Sequence, residues 1–534
     1  MQDISLGHHD AGTKAFIDYY MKDPLRASSA GVHSDRPLLP VAKDTIEQEI
    51  QDIKRAMVTL NHSPQKEAYL MKAMLSLQEY QLTKQIQNQP WHATVPLGIS
   101  MVQEALMPYI ENESLESSLR CSILHKRTQE LCSIIEQCEL ILDVPSSTSL
   151  AMEQAQIRGI PTLIDTAVSI AEKGEYKSLD AFKKSAETLK HKIILYGDNI
   201  TVKGSLPFVP MGREETKKRL MLSNMGVTIK DATIIGITYV EGCKRELEEI
   251  TGTKNWKSII ETKVRETALH SSDEFEKAMS TTTEGFFHDT VVRENYTIPK
   301  EEFYRIEKMP WFLINLMPFA CVSRGEPFGN RVPIFYYTIP EKVDPQTHNR
   351  IEAKSTVYHE MIHTLQDYYS RQAKHPAERL SHIPELREGL ALYNEIKLLG
   401  EKPDSIEYMH AVKMRLWRGY RVLVDLYLMT GDKSTLESIG HSLPHKSPIA
   451  NIAEILHEEI GHPLSQARGE ALRYANNPTQ PMSYLIGLDK ILGWHRNKTP
   501  GVSDKILNEE IIKSCTFLSW LEKDLEKKGM IQNK

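Results

Sequence analysis

The sequence predicts a mainly α-helical protein with one small β element. Apolar residues recur at the spacing of an α-helix through most of the chain. One region, residues 296–340, departs from this spacing and holds two short runs of aromatic and β-branched residues. Turn signals rich in glycine, proline and aspartate separate the periodic stretches, which places the ends of the predicted helices.

The individual elements follow in chain order. The helices predicted in the first 300 residues span 45–86 with a break at 61–64, 115–142, 178–195, 213–224 and 230–250. Ser63 and Pro64 have the character of a cap and first turn for the helix after the break. Two short strands are predicted at 304–309 and 332–339, with a glycine-containing loop between them. Helices resume after His348 and continue to the end of the chain.

We predict one domain over residues 1–534. The chain has no internal repeat, no low-complexity tract and no long linker that would separate independent units. Within this domain, residues 1–300 are predicted to form a mostly helical scaffold lobe. Residues 301–534 are predicted to form the lobe that carries the chemistry, since the candidate site residues lie there.

Charge and composition exclude some classes of function. Lys and Arg number 65 against 71 Asp and Glu, a net charge of −6, which argues against a nucleic-acid partner. The apolar runs are too short to span a bilayer, and the first residues lack the basic and apolar regions of a signal peptide. We therefore expect a cytoplasmic protein without a membrane partner. The six cysteines show no C-x-x-C pair, so we expect free thiols.

The strongest motif is H-E-x-x-H at His359, Glu360 and His363, within a helical pattern. Residues four apart on a helix share one face, so both imidazoles can reach one zinc ion. Glu360 then lies where it can act as a general base on water. A pair of exposed helix histidines is the plain alternative.

A third ligand is expected because catalytic zinc commonly takes three protein ligands and keeps one position open. Glu388 begins a helix that follows the first one after a loop, so it can be turned back toward the two histidines. Its alternative role is that of an acid favoured near a helix N-terminus by the helix dipole.

A second histidine motif competes with the first. His457 and His462 form H-E-x-x-G-H, which resembles the expanded zinc motif of dipeptidyl peptidase III. Histidines five apart diverge on a normal helix, so only a bulged turn would let both bind one ion. Pro463 follows at once and indicates a helix end. We therefore expect a supporting or surface role for this motif.

Three groups of residues together resemble the bacterial "domain of unknown function 885" family. They are the segments at 358–366, 388–395 and 470–487, and residues 23–36 resemble the opening motif of the same family. The family is regarded as related to zinc metallopeptidases of the gluzincin type. The resemblance implies a large helical body with a deep active-site cleft, and zinc held by His359, His363 and Glu388 with Glu360 as base.

The chain departs from the family pattern at two places. The family inserts Pro-Gly before the second histidine, whereas here the motif is compact, which spares the helix a bulge. The family also carries a histidine four residues after an aspartate in a later helix. Here Met429 follows Asp425 at that distance, so a role for that histidine in substrate handling does not carry over.

Further site residues are assigned with their alternatives. Tyr484 matches a family tyrosine and can stabilise a developing oxyanion, or it can be a core aromatic residue. Arg473 can bind a substrate carboxylate or pair with Glu470 three residues before it. Tyr474 and Gln480, from the same motif, are assigned to substrate binding with it. The strand over 332–338 can be an edge that pairs with an extended peptide, or a core strand.

The function we predict is that of a zinc-dependent metallopeptidase that hydrolyses oligopeptides, with Glu360 and Tyr484 as candidate catalytic residues. Two alternatives remain open at this stage: a zinc hydrolase of a non-peptide amide or ester, and a non-catalytic helical binding protein. The same ligands could also hold Mn²⁺ or Co²⁺. The sequence leaves the oligomeric state open.

Overall fold

Long helices make up most of the chain, so the predicted mainly α-helical fold is confirmed. The computed structural model describes residues 9–33, 36–63, 67–87, 98–141, 144–287, 296–314, 320–345, 347–400 and 402–532. The first thirteen helices are α1 (Ala11–Lys22), α2 (Pro24–Ser29), α3 (Lys43–Leu60), α4 (Ala68–Ile86), α5 (Gly98–Ile110), α6 (Ser117–Ile141), α7 (Ser147–Ile157), α8 (Ile160–Lys173), α9 (Leu179–Lys203), α10 (Arg213–Ser223), α11 (Ile229–Thr251), α12 (Trp256–Arg265) and α13 (Ser272–Gly285).

The rest of the chain carries the strands and the helices of the site. The strands are β1 (Arg305–Lys308), β2 (Ala320–Ser323) and β3 (Ile334–Tyr337). The helices are α14 (Trp311–Ile314), α15 (Arg350–Arg371), α16 (Pro376–Leu380), α17 (Pro384–Leu399), α18 (Ile406–Thr430), α19 (Ser434–Ser438), α20 (Pro448–Ile455), α21 (Leu464–Asn476), α22 (Gln480–Arg496), α23 (Asp504–Ile512) and α24 (Leu518–Lys527). A π-helical segment, Leu456–Ile460, continues α20.

The predicted helix ends agree with the structure to within a few residues at most places. The largest extension is at α9, which continues eight residues past 195 and ends before Gly204, whose φ of +75° a glycine adopts without strain. The break after α3 is present, but α4 begins only at Ala68. The predicted first turn at Pro64 lies outside the described residues.

The three strands form a small sheet in the order β1–β3–β2. β1 pairs with β3 in parallel, and β2 pairs with β3 in antiparallel orientation. Of the two alternatives for the strand at 332–338, the core strand is confirmed and the peptide-pairing edge is wrong, since β3 is paired on both sides and all four of its residues are buried. β2 was not predicted, since the sequence analysis placed only a loop between the two strands.

The buried apolar side chains form several clusters, and the first and third of them include residues of the site helices. One cluster joins the inner faces of α15, α17 and α22, and includes residues as distant in sequence as Phe16 and Leu525. A second lies among α5, α6, α8 and α9. A third packs α18 against α11, α20 and α21. The division into a scaffold lobe and a site lobe stays a prediction.

Helices α17 and α22 cross at two glycines. A Cβ atom built on Gly389 would lie 2.5 Å from the backbone of Gly487, and one built on Gly487 would lie 2.8 Å from Cα of Gly389. Only residues without side chains allow the two helix axes to come this close. Glu388 is next to Gly389, and Tyr484 lies three residues before Gly487. The crossing therefore sets the orientation of Glu388 relative to Tyr484.

Candidate metal centre

Three of the predicted ligands converge on one point. Nε2 of His359 lies 3.3 Å from Oε2 of Glu388, and Nε2 of His363 lies 3.4 Å from the same oxygen. The candidate ligand atoms of the three residues all lie within 4.8 Å of one another. Among the described residues this is the group of His, Cys, Asp and Glu side chains with a geometry suited to one cation.

Two helices bring these side chains together. His359 and His363 are one turn apart on α15, with ring centroids 5.1 Å apart. Asn349 caps α15 by accepting hydrogen bonds from the N–H groups of Ile351 and Glu352. Glu388 lies in the second turn of α17, whose first turn contains Pro384.

Hydrogen bonds hold both imidazoles in the tautomer that a metal requires. Nδ1 of His359 lies 3.2 Å from Oε2 of Glu395, and an ionised carboxylate can only accept, so this nitrogen carries the hydrogen. Nδ1 of His363 lies 2.8 Å from Oε1 of Gln366. The Gln366 amide nitrogen donates to the carbonyl oxygen of Arg387, which fixes the orientation of the amide. Both Nε2 atoms are thereby left to face Glu388.

The electrostatics of the site favour a bound cation. Burial disfavours the charged form of His359, but its contacts with Glu388 and Glu395 outweigh burial and raise its pKa to about 10. Burial likewise opposes ionisation of Glu388, yet His363 and His359 hold its pKa well below the usual range. For Glu395, the hydrogen bond from His359 and the nearby Arg418 overcome burial and lower the pKa to about 2.

A cavity of about 250 Å³ lies beside these ligands. Its polar wall includes charged and aromatic side chains: His359, Glu360, Glu395, Arg418, Arg421 and Tyr484. Its apolar wall is formed by residues of α12 and α13: Ile260, Val264, Phe275 and Met279. Burial raises the pKa of Glu360 above its ordinary value, as suits a carboxylate that accepts a proton.

The Tyr484 ring stacks on His359, with ring centroids 5.9 Å apart and an interplanar angle of 15°. Its hydroxyl accepts a hydrogen bond of 3.3 Å from the amide nitrogen of Gln480. Oε1 of Gln480 in turn accepts from Arg473 at 3.1 Å, and because a guanidinium can only donate, the amide cannot turn round. The Tyr484 hydroxyl therefore keeps its own hydrogen, and burial raises its pKa to about 12.

Arg473, Tyr474 and Gln480, the predicted substrate-binding residues, are not among the described residues that line the cavity. Arg473 pairs with Glu470 through two nitrogens, at 3.1 and 2.8 Å. The Tyr474 side chain is buried, and its hydroxyl accepts from Trp417 at 3.2 Å. Their role as substrate ligands stays a prediction, whereas their contacts support neighbouring side chains.

The second histidine motif includes a wider, π-helical turn. Two histidines five residues apart would need such a turn to face one ion. Leu456–Ile460 is π-helical, and Nδ1 of His457 donates to the carbonyl oxygen of His462 at 2.7 Å. His457 is exposed. Within the described ranges, neither His457 nor His462 belongs to a cluster of three side chains that could hold a metal ion. His462 lines the cavity with its ring edge-on to Trp417 at 4.6 Å, so the segment forms part of the cavity wall.

The sequence reasoning assigned no role to several residues that shape the site. Glu395 lies seven residues after Glu388, which is two turns along the same face of α17, and this spacing was a usable signal. Asp425 is fully buried and accepts from the N–H groups of Thr479 and Met482, at 3.3 and 3.2 Å. It therefore anchors the first turn of α22, and no local pattern could have indicated that contact.

Similar proteins are known by structure. A candidate lipoprotein of unknown function from Shewanella oneidensis has a TM-score of 0.72 and 16% sequence identity, over 96% of this chain and 99% of that chain. A candidate lipoprotein from Colwellia psychrerythraea has a TM-score of 0.72 and 15% identity, over 97% of each chain. At this identity the likeness shows a shared fold. No curated protein matches the chain.

The predicted cytoplasmic location is contradicted by these two neighbours, both described as lipoproteins, and is withdrawn. The prediction relied on the first twelve residues, of which residues 1–8 lie outside the described part of the structure. In the described ranges, no helix combines the length and the apolar character needed to cross a bilayer.

One family model matches residues 24–496, and it spans both the opening motif near residue 31 and the helices of the candidate metal centre. This chain is therefore a member of the family described as bacterial protein of unknown function (DUF885).

Proposed function

We propose that this protein is a zinc-dependent metallopeptidase that hydrolyses oligopeptides, and that its family is related to the gluzincin metallopeptidases. The observation that carries this proposal is the convergence of His359, His363 and Glu388 beside a cavity that Glu360 also lines. Ligands from two helices, a neighbouring carboxylate and an adjacent space for substrate are what a catalytic zinc site needs.

The donor set fits zinc. Two neutral imidazoles and one carboxylate are common zinc ligands, and hydrogen bonds to the far nitrogens of both rings favour binding through Nε2. The carboxylates of Glu388 and Glu395, which raise the pKa of His359, make this position favourable for a positive charge. When bound, zinc supplies Lewis-acid chemistry, since it polarises a carbonyl oxygen and acidifies water.

The side chains around the centre provide the proton transfers. Glu360 takes the proton from the attacking water and passes it to the leaving nitrogen of the amide. Tyr484 presents its hydroxyl hydrogen to the oxygen that becomes negative during attack. Gln480 holds the phenol in this orientation by donating to its oxygen.

The surroundings of the cavity favour a peptide over the other amides and esters. Ala320 of the edge strand β2 lines the cavity, and β2 lies beside α15. An edge strand can pair with the backbone of an extended peptide, which a small non-peptide substrate does not offer. No specific observation favours the alternative of a non-catalytic binding protein.

Replacement of Glu360 by Gln tests the proposal directly. The variant should lose peptide hydrolysis by about 100- to 10,000-fold, because the carboxylate base is removed while the shape is kept. Its zinc content should stay near that of the unaltered protein, measured by elemental analysis. Glu385→Gln is a matched control, since Glu385 is a buried glutamate of α17 that is not among the described residues lining the cavity, and the change should leave most of the hydrolysis intact. Full activity of the Glu360→Gln variant would refute the proposal.

A further inference from the structure

Two arginines stand out in the cavity wall. Arg418 and Arg421 lie three residues apart on α18, are only 5% and 4% exposed, and both line the cavity. Their guanidinium carbons lie 4.4 and 4.0 Å from the ring centroid of Trp417. The two positive groups therefore share one aromatic ring and one side of the cavity.

Neither guanidinium is fully paired within the described part of the chain. Nε of Arg418 and Nη1 of Arg421 are buried, and no acceptor in the described ranges lies within hydrogen-bond distance of either. The nearest carboxylate oxygen to Arg418 is Oε2 of Glu395, at 4.0 Å, and that oxygen already accepts from His359. Buried donors without acceptors are costly, so they indicate a place for an acceptor that arrives with a ligand.

The charges around Arg421 also favour the binding of an anion. Its carboxylate partner is Glu470, at 3.3 Å, and Glu470 is bound at the same time by Arg473 at 2.8 Å. One carboxylate is thus shared by two guanidinium groups. Because a shared carboxylate cannot neutralise both, this part of the wall keeps excess positive charge.

Arg421 is held rigidly in place. Its Nε donates to the Tyr474 hydroxyl at 2.8 Å, and the same oxygen accepts from Nε1 of Trp417 at 3.2 Å. The motif formed by Glu470, Arg473 and Tyr474 therefore lies behind Arg421 and fixes its direction. A guanidinium fixed in this way loses little entropy when it binds a carboxylate.

The distance from this pair to the metal centre suits a short peptide. The guanidinium of Arg421 lies 4.7 Å from the Tyr484 ring centroid, and that centroid lies 5.9 Å from the ring of His359. The two distances limit the separation of Arg421 from His359 to about 11 Å, which is the length of about three residues of extended chain.

We propose that Arg418 and Arg421 form a carboxylate-binding subsite that selects short peptides by their C-terminal carboxylate, within three residues of the bond that is cleaved. The inference rests on the proposed function and adds the class of substrate to it. An Asp or Glu side chain of the substrate offers the same chemical group at the same distance.

The first test compares substrates that differ only in the anion. An N-acetylated tetra-alanine with a free C-terminus should be cleaved with a kcat/KM about 10- to 100-fold above that of its C-terminal amide. Arg418→Gln should reduce this ratio toward one, because cleavage of the acid should fall further than any loss that both substrates share through the neighbouring Glu395. Arg415→Gln is the matched control, because Arg415 lies on the same helix but pairs with Glu246. An equal rate for acid and amide, or an equal loss on both, would overturn the proposal.

A binding measurement separates this proposal from the hydrolase proposal. Calorimetry on zinc-loaded Glu360→Gln protein should show the tetra-alanine acid binding about 10- to 100-fold more tightly than the amide. Arg418→Gln and the charge-retaining Arg418→Lys should each reduce that preference, and their unfolding temperatures confirm that they fold. If the Glu360→Gln variant binds the acid selectively but the unaltered protein hydrolyses no peptide, the hydrolase proposal is refuted and the subsite proposal stands. Hydrolysis with no selective binding would refute the subsite alone.

A third arm identifies the source of the carboxylate. C-terminally amidated peptides with Glu or Gln at the first or second position after the cleaved bond isolate the side-chain contribution. A preference for the free terminus alone supports selection by the terminal carboxylate. A preference for Glu in the amidated series, without a preference for the free terminus, would overturn that selection and assign the subsite to acidic side chains.

Discussion

Nδ1 of His359 lies 3.2 Å from Oε2 of Glu395, on the helix that also supplies Glu388 to the other nitrogen of the same ring. One face of α17 therefore contacts both edges of the imidazole. Ser355, one turn before His359, donates to the second oxygen of Glu395 at 2.6 Å and completes this arrangement. The His359 ring is thus fixed by a carboxylate that is not one of the three candidate ligands.

Replacement of Glu395 by Gln should weaken zinc binding by about 10- to 100-fold, because the neutral amide no longer orients and polarises the His359 ring. Competition with a coloured chelator measures the affinity. Glu385→Gln is the control, since Glu385 is also a buried carboxylate of α17 but lies one turn before Glu388. An unchanged affinity in the Glu395 variant would contradict the assigned role.

Replacement of Gly487 by Ala should destabilise the protein by about 1–3 kcal/mol or more. The added methyl group would collide with the carbonyl oxygen of Glu385, and backbone cannot move aside as a side chain can. Gly493→Ala, on the same helix, meets only Arg496 at 3.9 Å and should be neutral or slightly stabilising. Urea unfolding of both variants measures the difference, and equal stability would show that the crossing tolerates a Cβ atom.

Replacement of Tyr484 by Phe should lower kcat by about 100- to 1,000-fold and leave KM nearly unchanged. The lost hydroxyl would act only on the charge that develops during the reaction. Tyr239→Phe is a suitable comparison, because it also removes a tyrosine hydroxyl. That hydroxyl donates to Asp489, which lies on α22 as Tyr484 does. Steady-state kinetics on one peptide measures both, and a change confined to KM would argue for a substrate-binding role instead.

The buried Glu153 should make stability depend on pH. Burial raises its pKa to about 7, so the folded protein binds a proton more tightly there than the unfolded chain does. Stability should therefore fall as the pH rises from about 4.5 to about 7.

Glu153→Gln removes this dependence and keeps an acceptor oxygen for Ile99 and Tyr196, which both donate to Oε1. The variant should match the unaltered protein at pH 4.5 or below and exceed it by about 3 kcal/mol at pH 8. Urea unfolding at both pH values is the measurement. A stability difference that is the same at both would show that this carboxyl group does not titrate with a raised pKa.

Much of the fold and part of the site were predictable from the sequence, because they depend on local spacing. The side chains of His359 and His363 share a face wherever α15 is helical, and the helices themselves follow from apolar periodicity. The relation of Glu388 to Glu395 also lies within one helix. The paired state of β3, by contrast, depends on strands distant in sequence, so the sequence left open whether this strand is an edge or a core strand.

The sequence by itself determined the helical class, the family and the two histidines that face the same way. Only the tertiary structure decided that Glu388 reaches them, that Arg473 supports other side chains, and that Arg418 and Arg421 line the cavity. The reason is physical. A helix sets the positions of residues three or four apart, whereas contacts such as that between His359 and Glu395, 36 residues apart, depend on how helices pack.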